Sequence, residues 1–157
     1  MTNAHTWSFL DRSKWSSGPW DDEPQDKVIW KHAGLTCMAH RIYHCGAWCG
    51  YVGLPPSHPL HGMDYDSLPE LDAHGGINYS NTCQPHDKDT GRGICHTPEP
   101  GEPDDVWWLG FDCARCGDVA TDYASLLPYA GATYKSLQFV RNETERLADQ
   151  LAALVTA

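Results

Sequence analysis

The segment that most constrains this chain is NTCQPHDKDTGRGICHTPEPGEPDD, residues 81 to 105, which is polar and rich in Gly and Pro. It has too few apolar side chains to order itself by burial. A structureless connection of that length is uncommon inside a compact domain unless it is functional, stapled or disordered. It runs directly into the apolar VWWLGFD and then Cys113-Ala-Arg-Cys116. Between Cys83 and Cys116 lie four of the seven cysteines and two histidines. Thiols and imidazoles beside a loop with no core of its own point to a metal site.

Zinc takes four tetrahedral ligands, usually Cys or His and often as two close pairs. Cys113 and Cys116 form one such pair. Cys83 (or His86) with Cys95 or His96 supplies the other, and metal binding would then order the loop. Cys95 and His96 are adjacent, so both on one ion is a tight fit. The competing reading leaves the thiols free and holds the loop by proline packing. A redox Cys-x-x-Cys normally opens a helix, whereas Gly117 and Asp118 follow here. His40 and His44 are excluded as a pair, because on a strand they sit ~13 Å apart. Cys45 and Cys49 flank a turn, and Cys49 reads as a small buried hydrophobe.

The 157 residues suit one domain, with residues 1–25 as a Trp-rich arm and 26–157 as its body. The formal net charge of −10 argues against duplex nucleic acid and anionic membranes as partners. The start, MTNAHTWSFLDRSKW, lacks a basic region followed by an apolar run, and no stretch is apolar enough to span a bilayer. A cytoplasmic protein is expected, with its odd number of cysteines reduced or metal-bound rather than in a disulfide framework.

KVIWKH, LTCMAHRIYH and AWCGYVGL read as strands of an antiparallel meander, with turns at Ala33-Gly34 and Cys45-Gly46. AHGGINYS enters another strand, and VWWLGFD, apolar on both faces, is predicted to be central. Residues 133 to 155 carry Leu137, Val140, Thr144, Leu147, Leu151 and Leu154 at helical spacing. Arg141 and Glu145 are placed to pair on the outer side of that helix. The predicted fold is α+β: a mostly antiparallel sheet, a long C-terminal helix packed on it, and a long metal-stapled loop. The same helical stripe would serve as a homodimer seam.

His74-Gly75-Gly76 exposes a histidine beside two residues that let a ligand approach the backbone. Asp112 and Asp118 follow the apolar strand, where a carboxylate must be paired, hydrogen-bonded or used. His74, Asp112 and Asp118 are therefore the candidate catalytic groups. Gly75, Gly76, His61 and one ring of the Trp107-Trp108 pair, taken as Trp108, are the candidate ligand-binding groups. Asp112 could instead cap the turn that follows it.

WCGYVGLPPSHPLHGMDYD, HGGINYS, ICHTPEPGEPDDVWWLGFDCARCGD and the last helix together resemble a family of small bacteriophage and prophage proteins of uncharacterised activity. The resemblance covers about Trp48 to Leu151. It implies a phage or prophage origin and an intracellular setting, with His74, Gly75, Gly76, Asp112 and Asp118 on the family's most recognisable words. Members tend to read GFDCAH where this chain has Arg115. The resulting expectation is an accessory protein that binds a small polar, nucleotide-like ligand, in phage–host conflict. The alternatives are a metal-assisted hydrolase using His74, Asp112 and Asp118, and an inhibitor that binds a host protein through its arm.

Overall fold

A computed structural model describes residues 5–15, 17–43, 45–84, 93–96, 105–114, 118–119 and 133–156. Six strands form one antiparallel sheet in the order β1-β2-β3-β4-β6-β5. They are β1 (His5–Trp7), β2 (Lys27–His32), β3 (Leu35–Arg41), β4 (Trp48–Leu54), β5 (Tyr79–Thr82) and β6 (Trp107–Asp112). One helix, α1 (Leu137–Thr156), packs on the sheet, so the α+β expectation holds. None of the helices among the described residues is long and apolar enough to cross a membrane.

The β2–β3 hairpin closes on two residues, Ala33 and Gly34, with φ of 53° and 78°. Two positive φ values match the right-handed twist of the flanking strands. β3 and β4 are buried along their whole length, and β6 lies between β4 and β5, as an apolar central strand should. β3 ends at Arg41, short of the predicted His44, which lies outside the described residues.

α1 starts at Leu137 rather than at residue 133. Ser136 is the reason, because its Oγ accepts the Phe139 amide at 3.1 Å and caps the first turn. Glu23, brought in from the arm, accepts the Leu137 amide at 2.7 Å. Val140, Thr144, Leu147 and Leu151 are fully buried against Val28, Trp30, Cys37, Val52, Leu109 and Phe111. Gly50 lets the helix come close: a Cβ there would meet Thr144 Oγ1 at 2.4 Å and Phe111 Cζ at 2.5 Å. Arg141 and Glu145 do not pair as expected. Arg141 lies over the Trp30 ring at 4.7 Å, and Glu145 meets His32 Nδ1 at 3.1 Å.

The opposite face carries Ile29, Met38, Cys49, Tyr51, Val106 and Trp108. One cross-strand row on it runs Lys27, His40, Cys49, Asp112. The arm and residues 93–96 close over this row. β1 extends the sheet, and Phe9 meets the His40 ring at 5.3 Å. The buried Asp26 carboxylate accepts the Phe9 and Leu10 amides at 2.7 and 2.8 Å and pairs with Arg12 at 2.7 Å.

Candidate functional site

His74 stands at the turn that leads to β5. Gly75 and Gly76 follow with φ of 69° and 83°, and the Gly76 amide donates to Ala73 O at 2.9 Å. These are left-handed values that glycine adopts without strain. A Cβ at Gly76 would meet nothing within 4 Å, so the backbone there faces open space.

His74 Nε2 lies 3.0 Å from both carboxylate oxygens of Asp118. Asp118 is 1% exposed and also bonds Lys135 Nζ at 2.9 Å. Asp118 is fixed by a parallel bridge to Thr133, whose carbonyl accepts the Val119 amide at 2.9 Å. Lys135 is fixed by Thr133 Oγ1 at 2.6 Å, and His74 packs edge-on to Phe139 at 5.2 Å. A carboxylate accepts only, so Nε2 carries the proton of this bond and Nδ1 faces away from it. No described residue bonds Nδ1, and the ring is 23% exposed. The cluster is a buried carboxylate that orients an imidazole and an ammonium, a pairing suited to proton transfer or polar recognition.

Two of the candidate residues, His74 and Asp118, are thus brought together, with Lys135, which lies just before the helix with no sequence pattern to mark it. Asp112 has other partners. Its Oδ2 accepts from Asn78 Nδ2 at 2.6 Å, and its Oδ1 accepts the Ala114 amide at 3.1 Å, which is the turn-capping alternative. Trp108 is not a ligand wall at His74. It is fully buried on the far face, donates from Nε1 to Cys83 Sγ at 3.3 Å and stands edge-on to His96 at 5.6 Å. His61 sits instead beside Trp107, with Nε2 3.2 Å from Asp105 O.

The metal-ligand expectation is met only in part. The ligand atoms of Cys83, Cys95 and His96 all lie within 4.8 Å of one another, a group that could hold an ion. Cys83 and Cys95 are joined as a disulfide rather than reduced. Cys113 does not join them. It is a free thiol buried in the helix-side core, and burial raises its pKa well above the ordinary cysteine value. Cys116, His86, Arg115 and Gly117 lie outside the described residues. Cys49 is a free buried thiol pushed up to about 12 by burial, which fits the small-hydrophobe reading.

On the same face, His40 donates from Nδ1 to Arg41 O at 2.7 Å, and burial lowers its pKa to about 4. No family model, curated protein or solved structure matches the chain.

Proposed function

We propose that this chain is an intracellular accessory protein of the phage type that binds a small polar, nucleotide-like ligand at His74, Asp118 and Lys135. The observation that carries the reading is the buried Asp118 carboxylate bonded at once to an imidazole and an ammonium. Burying a carboxylate is costly unless it is paired and hydrogen-bonded, and such an arrangement fixes both basic side chains in one orientation. The ligand would meet His74 Nδ1 and the Lys135 ammonium and lie over the open backbone at Gly76. Cys83, Cys95 and His96 form a zinc-capable staple on the other face, in keeping with the chemistry of those donors.

The test is calorimetric titration of the full chain with a panel of nucleotides. Saturable binding is expected. Asp118→Asn and His74→Ala should each weaken it by roughly tenfold, about 1.4 kcal/mol. No heat with any nucleotide, or undiminished affinity in both folded variants, would overturn the reading. The His74–Asp118 pair also matches the geometry that orients a general base. Turnover of a bound nucleotide that is lost in Asp118→Asn would move the assignment to a hydrolase.

A further inference from the structure

Cys83 follows directly on β5, and residues 93–96 return alongside it. The Gln84 amide donates to Ile94 O at 3.1 Å. Lys27 Nζ, fully buried, donates to Gly93 O at 2.7 Å and Cys95 O at 2.9 Å, and it lies 5.2 Å from the Trp7 ring. These bonds tie both cysteines to the sheet beside the S–S bond. Reduction should loosen this edge yet leave the two sulfurs within reach of each other and of His96. Trp108 Nε1 continues to donate to Cys83, and a hydrogen bond to sulfur favours the thiolate that a metal needs.

We propose that Cys83, Cys95 and His96 form a redox-gated metal site, closed to the ion by the disulfide and opened by its two-electron reduction. This inference rests on the zinc-capable reading above and adds its control. In the opening step a dithiol gives two electrons and two protons to the S–S bond, yielding two protein thiols and the dithiol's own disulfide. A divalent ion of zinc's class then displaces the two thiol protons and takes two thiolates and one imidazole nitrogen. In the closing step hydrogen peroxide accepts two electrons from the bound thiolates and, with two protons, leaves as two waters. The S–S bond re-forms and the ion departs.

Three protein ligands leave a tetrahedral ion one open position. A cavity of about 330 Å³, lined in part by Lys31, Thr36, Gly53, His96 and Val106, reaches the group at His96. It has room for a water or small anion, with Lys31 among its walls. The site therefore has the three-ligand form of a metal centre that exchanges a ligand.

The test uses the full chain, oxidised and then reduced with a phosphine, titrated with Co²⁺ followed by absorbance and with Zn²⁺ followed by elemental analysis. The oxidised chain should take up no ion. The reduced chain should take one equivalent with a thiolate-to-cobalt band, and peroxide should release it. Cys83→Ser and Cys95→Ser should each abolish the band, and His96→Ala should weaken binding by roughly tenfold or more. Far-UV circular dichroism checks that each variant is folded. Equal uptake in both redox states would overturn the gate and leave the zinc-capable reading standing. No uptake in either state would overturn both. A band that survives in folded Cys83→Ser and Cys95→Ser would assign the ion to other thiols and overturn the site.

Discussion

The two faces of the sheet are closed by different physics. On the helix side, Val140, Leu147 and Leu151 pack on a mainly apolar sheet face, and Gly50 leaves room for Thr144 and Phe111. On the other side a row of Lys27, His40, Cys49 and Asp112 crosses four strands. That row is closed by the arm, the Lys27 clamp and the Cys83–Cys95 bond. Burial supplies most of what stabilises the first face, whereas the second depends more on partners for polar groups taken out of water. The face that depends more on specific bonds should respond more strongly to pH, redox state and metal.

The largest expected effect tests the packed face. Leu147→Ala should lower unfolding stability by about 2–5 kcal/mol, read by urea denaturation, because it leaves a cavity under the helix. A loss well below that range would mean that the helix is not anchored by its stripe. Next comes acid on the bonded face. His40 has a folded pKa of about 4 against an ordinary value of 6.5. A depressed value means that its contribution is fully present above about pH 6.5 and lost as pH falls towards 4, with no further loss below. The size is about 3 kcal/mol at most. His40→Leu should flatten that limb of the stability–pH curve, and an unchanged limb would reassign the acid sensitivity.

Reduction of Cys83–Cys95 closes the sequence of effects on this face. The bond spans 12 residues, so its loss should cost about 2–3 kcal/mol, measured with and without a phosphine. The smallest effect contrasts with all of these. Arg146 pairs with Asp72 and Glu143 on the surface, and Arg146→Ala should change stability by less than about 0.5 kcal/mol.

What the sequence made legible follows the same division. Short apolar runs bounded by turn residues marked β2, β3, β4 and β6, and the 3.6-residue stripe marked α1, because each pattern is written in neighbouring residues. The start of the helix was misplaced because the cap is Ser136, and the stripe carries no mark of where capping begins. His74 and Asp118 stood out by residue type, yet Lys135 could be joined to them only through the Thr133 bridge, which no local pattern encodes. Lys27 reads as a solvated residue at a strand end. Its burial depends on carbonyls 66 and 68 residues away. The partnership of Cys83 with Cys95 rather than with Cys113 is likewise a matter of faces. Cys113 points to the helix side, so its nearness in sequence to the cysteine-rich loop does not bring it to the site.

Amide hydrogen exchange on the full chain, before and after phosphine reduction, tests the division between the faces most directly. Reduction should lower protection at Gln84, Ile94 and β5 while the amides of α1 and β3 keep theirs. Uniform loss across both faces, or unchanged protection at Gln84 and Ile94, would contradict it.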